Sequence, residues 1–211
     1  MKRVMQVLKY VFVLLMLVAG VAAYRYLPEI IPTHWNFAGE ADGFGPKATF
    51  VWLFPGIAIA VLILFWFLPK IDPKKDKYKK FAEVWEIMQA VLVGYFAYMY
   101  FVSLYAAVVL DVNVSAFVLV GVGVLFLILG NYMGKIRQNY FVGIKTPWTI
   151  ENEDVWNKTH RFGGWCFVIA ALIFVLQGLT GFVSIWLFGL AIVVAALLPI
   201  LYSYWIFPRN K

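Results

Sequence analysis

Charge is scarce in this chain, and side chains that carry chemistry are scarcer. Only 14% of its 211 residues are charged, where a soluble domain carries about 25%. The single cysteine, Cys166, excludes an internal disulfide and a cysteine-based metal site; it reads as a small buried apolar residue. Histidine occurs twice, at His34 and His160. A zinc site wants about three or four His, Cys or carboxylate ligands, so no metal is expected. There is no glycine-rich phosphate loop, no nucleophile–histidine–acid set and no zinc motif. That argues against an enzyme and leaves no cofactor to expect. No segment repeats at a period of about 20–50 residues, which excludes a solenoid.

What the chain has is apolar surface, with 64% hydrophobic residues. A membrane span needs about 20 mostly apolar residues. Six stretches qualify: 5–26, 49–68, 84–110, 115–133, 164–179 and 183–207. The fifth is short, but it can extend backward as one helix from Glu153. The first begins with Lys2-Arg3 like a signal peptide, yet it ends in Tyr24-Arg25-Tyr26 with no small-x-small cleavage site, so it is expected to be retained. The fold expected is an all-α integral membrane protein of six transmembrane helices. The spans are almost free of charge, with Glu86 and Gln89 their deepest polar pair. No chain of carboxylates crosses the membrane, which counts against a proton-coupled transporter.

The basic residues orient it. Of 18 Lys and Arg, only Arg25 and Lys47 fall in an odd-numbered loop. The rest lie near the N-terminus, in loops two and four, and at the C-terminal Arg209 and Lys211. The positive-inside rule then predicts both termini and both even loops in the cytoplasm. The net charge of +7 is thereby a topology signal, and direct nucleic-acid binding does not follow from it. Trp52 and Trp186 at outer ends, with Trp66, Trp85, Trp165 and Trp205 at inner ends, read as interface anchors.

One six-helix unit with two elaborated loops on opposite faces is therefore expected. Residues 1–68 hold the first two spans and the outer loop 27–47. Residues 69–83 form a basic inner loop. Residues 84–211 hold four spans and the inner loop 130–164.

In the outer loop, Pro28 and Pro32 should stop the first helix near Leu27, and Pro46 should introduce the second. Asn36 to Gly39 and Asp42-Gly43 are turn-formers. His34, Asn36, Glu40 and Asp42 fall short of a metal site. A packed turn with His34 bonded to the backbone, or recognition of an external ligand by His34 and Trp35, both fit. In loop two, Lys74, Lys75, Lys77, Lys79 and Lys80 fit a surface resting on anionic lipid, or a dock for an acidic cytosolic partner.

The stretch 130–165 packs three Trp, two Tyr, five Gly, one His and five basic residues between two apolar segments. A simple linker needs none of this, so a folded loop is expected. Gly130 and Gly134 are spaced for close helix approach. With Gly121 and Gly123 they would let span four shift against its neighbours. Pro147 disfavours helix at Thr146. Asn152, followed by Glu153 and Asp154, fits a helix N-cap with acids in the first turn. Trp156, His160 and Gly164 then share one helical face. His160 could respond to protons, its ordinary pKa being about 6.5, or be bonded to loop backbone.

This stretch resembles the C-terminal signature of the SdpI-type bacterial immunity proteins. The likeness rests on Gly130-Asn131-Tyr132, Asn139-Tyr140-Phe141, Gly143-Ile144-Lys145-Thr146-Pro147-Trp148-Thr149, Val155-Trp156, Thr159-His160 and Gly163-Gly164. Ile31-Pro32-Thr33-His34-Trp35-Asn36, with Gly39 and Asp42, resembles the N-terminal domain often found in the same family. The resemblance implies a plasma-membrane protein that protects the cell from a secreted toxic peptide. It also implies a receptor that captures a cytosolic repressor at the membrane. The resemblance assigns no chemistry to that N-terminal domain; the topology puts His34, Trp35, Asn36 and Asp42 outside, as candidates to meet an external ligand. Asn139, Lys145, Thr146, Pro147, Trp148, Trp156 and His160 go to a cytosolic partner. A small transporter or channel, or an interaction protein without a toxin role, is the competing class. The sequence leaves the oligomeric state open.

Overall fold

The computed structural model describes residues 2–109 and 112–208. Arg209 and Lys211, the C-terminal part of the charge argument, lie outside the described residues, as does Leu110 at the end of span three. Among the described residues, six helices are long and apolar enough to cross a membrane.

Helix α1 (Lys2–Ala23) ends three residues before the expected limit. There the amides of Tyr26 and Leu27 both turn back to the Ala23 carbonyl, at 2.8 and 3.1 Å. Helix α2 (Lys47–Ile71) starts directly after Pro46 and runs through Pro55 and Pro69. A 3-10 segment, Lys75–Phe81, leads into α3 (Ala82–Val108), and α4 (Val114–Met133) follows. A short α5 (Pro147–Glu151) precedes α6 (Glu153–Thr180), which does run back to Glu153 as one helix.

The sixth span is broken into α7 (Ile185–Ile192), a π-helical turn (Val193–Leu197) and α8 (Leu198–Trp205). Pro199 explains the break. It has no N–H to donate and its ring crowds the carbonyl four residues back. One wider turn absorbs both effects.

The outer loop is not the packed turn expected from its composition. It is an antiparallel hairpin of β1 (Ile30–Trp35) and β2 (Ala41–Pro46), the one exception to an all-helical fold among the described residues. Each strand is an edge, so Pro32 and Pro46 cost no ladder bond on their free sides. The tip turns at Gly39 (φ +89°), with the Asn36 amide bonded to the Glu40 carbonyl at 2.9 Å. Asp42-Gly43 lies within β2, at a bulge where Gly43 faces His34. Ile31 is fully buried in a cluster with Met16, Phe50 and Tyr100. Burying a side chain of that size stabilises by about 1.5–3 kcal/mol. Lys47 holds the hairpin base, donating to the Leu27 carbonyl at 3.1 Å and pairing with Glu29 at 3.0 Å.

The first three spans and the last three form two lobes, meeting mainly along α3 and α4. Within the second lobe α4 and α6 make the most extensive contact in the molecule. At Gly130 an added Cβ would sit 2.8 Å from the Gly164 carbonyl oxygen, and at Gly164 one would sit 2.6 Å from that of Gly130. Gly123 and Gly178 make similar backbone approaches. The glycines thus seat α4 against α6.

Two details differ from the sequence reading. Lys9 lies two turns inside α1 and is buried; it pairs with Glu86 at 2.7 Å and donates to Gln89 at 2.8 Å. A buried ammonium persists only with such partners. Trp85 is no interface anchor: it is buried among Phe65, Tyr78 and Phe81. Trp52, Trp66, Trp165, Trp186 and Trp205 are exposed at the helix surfaces, as anchors should be.

Candidate functional site

Loop four is built around Asn139, which is fully buried. Its Oδ1 accepts the amides of Phe141 and Val142 at 2.9 and 2.7 Å, and its Nδ2 donates to the carbonyls of Arg137 and Val142. One side chain thereby closes a whole turn. Beyond it Gly143 takes φ +119°. An added Cβ there would overlap the rings of His160 and Trp156, so the chain passes directly over them.

His160 and Trp156 are both fully buried and stacked, with ring centroids 4.0 Å apart. The Ile144 amide donates to His160 Nε2 at 2.9 Å. That makes Nε2 the acceptor and Nδ1 the protonated nitrogen, which donates to the Trp156 carbonyl at 2.8 Å. Both ring nitrogens are spent on backbone, so the backbone-bonded reading holds and the ring is neutral. Trp156 Nε1 donates to the Ile136 carbonyl at 2.8 Å.

The next turn follows from Thr146-Pro147. Thr146 is extended (φ −114°, ψ 162°) as the following proline requires, and Pro147 opens α5. Thr146 and Thr149 cap each other reciprocally. Thr146 Oγ1 also lies 3.0 Å from Ser203 Oγ on α8. Trp148 is half-buried, edge-on to Tyr204 at 4.9 Å. Asn152 caps α6 by accepting from the Asp154 and Val155 amides.

Of the residues assigned to an inner partner, Asn139, Thr146, Trp156 and His160 are therefore buried and hold the loop's shape. Lys145 and Pro147 are exposed and Trp148 is half-exposed; these three present a surface. Lys145 is tied down through Nζ to the Phe141 carbonyl at 2.8 Å.

A second set went unread in the sequence. Asp72, in the basic loop, is buried. It accepts the Lys74 amide at 2.7 Å, the Tyr78 hydroxyl at 2.8 Å and, from loop four, the Tyr140 amide at 3.0 Å. Lys74 donates to Gln138 at 2.6 Å, and Gln138 donates on to the Thr149 and Ile150 carbonyls. Lys77 pairs with Glu153 at 2.6 Å. The two loops are one interlocked platform. Asp72-Pro73 was the available signal, since an Asp in that position caps its own turn. Around the platform Lys75, Lys79, Lys80, Lys135, Arg137, Lys158 and Arg161 are exposed.

On the opposite face, His34 bonds to the Asp42 carboxylate, not to backbone, at 2.5 Å. Both side chains stay largely exposed. Asn36 donates to Glu40 Oε2 at 3.0 Å and accepts the Glu40 amide at 3.0 Å. Trp35 is partly buried against Val102, Ala106 and Val114, wedging the hairpin onto the ends of α3 and α4. The Asn36 carbonyl accepts from Ser115 Oγ at 3.2 Å, and Phe37 meets Phe188 edge-on at 5.9 Å. The hairpin tip thus straps the first lobe to the second. No group of three or more His, Cys, Asp or Glu is placed to hold a metal among the described residues.

The SdpI/YfhL protein family profile matches residues 135–203, which include loop four from Asn139 to His160. A domain of unknown function, DUF1648, matches residues 11–59, which hold the second half of α1, the hairpin and the first half of α2. The chain is 25% identical over 199 residues to the protein named Immunity protein SdpI of Bacillus subtilis (strain 168), covering 94% of this chain and 93% of that one. No solved structure matches. Six spans and a match near each end, joined by a relative that aligns nearly end to end, mark this as a multi-pass cell-membrane protein that resembles the SdpI-type family.

Proposed function

We propose that the chain is an immunity protein, protecting the cell that carries it against a secreted toxic peptide. The observation that carries this reading is the alignment with an immunity protein over 94% of the chain. The geometry is consistent with it: the described residues offer two shaped faces at opposite ends of a six-helix bundle. With the basic loops inside, the hairpin with His34, Trp35, Asn36 and Asp42 faces the exterior, where such a peptide arrives.

The finer part of the proposal is a receptor role. The platform of loops two and four, with Lys145, Pro147 and Trp148 on its surface and exposed lysines around it, would rest against anionic lipid and hold a cytosolic repressor. An outer ligand alters inner binding only if it prefers one of two arrangements. The two lobes are strapped at both faces: by Ser115–Asn36 and Phe37–Phe188 on one, and by Asp72–Tyr140 and Lys77–Glu153 on the other. Opening one strap biases the other.

Survival tests the primary role. Toxin-sensitive cells that make this protein should grow in the presence of the toxic peptide, and cells without it should not. Equal killing of both would end the immunity reading. Transport remains the competing class; the buried Lys9–Glu86 pair is the kind of intramembrane charge a transporter uses, but it is fully paired. Toxin exported in step with survival would favour that class.

A further inference from the structure

A cleft of about 490 Å³ opens between the two lobes, directly beneath the hairpin. Ligand pockets usually enclose about 300–1,000 Å³. Its floor is apolar and aromatic, formed by Phe50 and Phe54 from α2, Leu119 from α4 and Phe188 from α7. Its rim is polar, and two rim residues hold carboxylates. His34 holds Asp42 and Asn36 holds Glu40, and both carboxylates reach solvent.

Among the described residues, the loops on this face carry Glu29, Glu40 and Asp42 against Arg25 and Lys47. Lys47 is buried and spent on Leu27 and Glu29, so that pair cancels and Glu40 and Asp42 face Arg25 alone. The hairpin face is therefore acidic, while the opposite face is strongly basic. A phospholipid would satisfy the floor but set its phosphate beside two carboxylates. A cationic peptide with bulky apolar side chains satisfies both the floor and the rim.

We infer that this cleft is the capture site for the toxic peptide, which inserts a bulky apolar side chain between Phe50, Phe54 and Phe188 and sets an adjacent basic residue on Asp42 and Glu40. The inference rests on the immunity reading and names the ligand class that reading left open. Entry parts Phe37 from Phe188 and the Asn36 carbonyl from Ser115, the contacts that tie the hairpin to the second lobe. Occupancy is thus felt where the two lobes meet.

The test uses the full-length protein in nanodiscs and a dansylated Lys-Phe-Phe-Lys amide as probe, followed by fluorescence anisotropy. Exchanging Lys for Glu, or Phe for Ala, in the probe should weaken binding at least about tenfold, the scale of one lost anchor contact. Ser103→Phe, which fills the cleft from α3, should abolish binding. The double variant Glu40→Gln, Asp42→Asn should weaken it at low salt and less so at high salt.

A second readout does not depend on those variants folding. Val183→Cys lines the cleft; with Cys166→Ala, its labelling by an impermeant maleimide should slow when the probe is bound. Equal binding of the Glu probe, or unchanged labelling at Val183→Cys with saturating probe, would overturn the assignment. So would displacement by a lysophospholipid with no dependence on peptide charge, which assigns the cleft to lipid. Cells that survive toxin although the cleft binds no probe would remove the cleft and keep the immunity reading. Probe binding without protection would do the reverse.

Discussion

The Asp72 carboxylate accepts the backbone N–H of Tyr140 at 3.0 Å. This one bond joins the loop after the second helix to the loop after the fourth. The same carboxylate holds the Tyr78 hydroxyl and the Lys74 amide, so three donors converge on a side chain that is 2% exposed.

Removing that acceptor should loosen the platform. Asp72→Ala removes the acceptor of two part-buried amides and leaves the Tyr78 hydroxyl only its 3.4 Å contact to Asn139, and a hydrogen bond to a charged group contributes about 1.5–3 kcal/mol. A loss of about 3 kcal/mol is expected, read as a lower melting temperature in detergent and faster proteolysis at Tyr140. Asp72→Asn keeps one acceptor oxygen and should lose less. An unchanged melting temperature in Asp72→Ala would mean the two loops are not interlocked.

The α4–α6 seam gives a separate expectation. Gly164→Ala places a Cβ 2.6 Å from the Gly130 carbonyl oxygen, a distance no side-chain motion relieves, because both atoms are fixed to helix backbone. Overpacking of this kind costs about 1–3 kcal/mol. The variant should melt earlier, and a disulfide engineered across α4 and α6 should form more slowly. Gly189→Ala, where nothing lies within 4 Å, should be silent and serves as the control.

His160 supplies a pH dependence whose sign follows from its bonds. Nε2 accepts the Ile144 N–H, and only the neutral ring can accept there. A second ring proton removes the acceptor and leaves two donors facing each other. Loop four should therefore hold at neutral pH and loosen as pH falls. Hydrogen exchange at the Ile144 amide should speed up in acid in the native protein. His160→Gln, which cannot gain a proton, should flatten that response.

The membrane architecture was legible in the sequence because it depends on length and hydropathy alone. Local signals were equally readable: Asn152 caps α6, and Gly130 marks the close approach to Gly164. The hairpin was not readable. Pro32, Gly43 and Pro46 argue against strands, and only burial of Ile31 and the Lys47 anchor make this ladder form. Asp72, Gln138 and Lys9 were hidden for another reason. Each makes a bond to a partner more than 60 residues away, and a short-range pattern carries no trace of such a pair. Trp156 and His160 do share one face, but burial makes them props for the loop, and Lys145, Pro147 and Trp148 are the ones left at its surface.

That division gives a prediction for the outer face. Trp35 wedges the hairpin onto α3 and α4. Trp35→Ala should weaken toxin resistance and inner partner capture together, because it frees the hairpin from both lobes. The protein should still insert, since span hydropathy is untouched. Resistance at the native level in Trp35→Ala would show that the hairpin's seating is irrelevant to capture.

In the proposed arrangement, capture occurs on one face and response on the other. It is tested most directly with Lys145→Ala, measured in one culture for survival under toxin and for recruitment of a labelled repressor to the membrane. Lys145 lies on the exposed surface of loop four and far from the hairpin in the fold. Survival should stay near the native level while recruitment falls by about tenfold, the cost of one good contact. Equal loss of both outputs would contradict it and point to a single shared site.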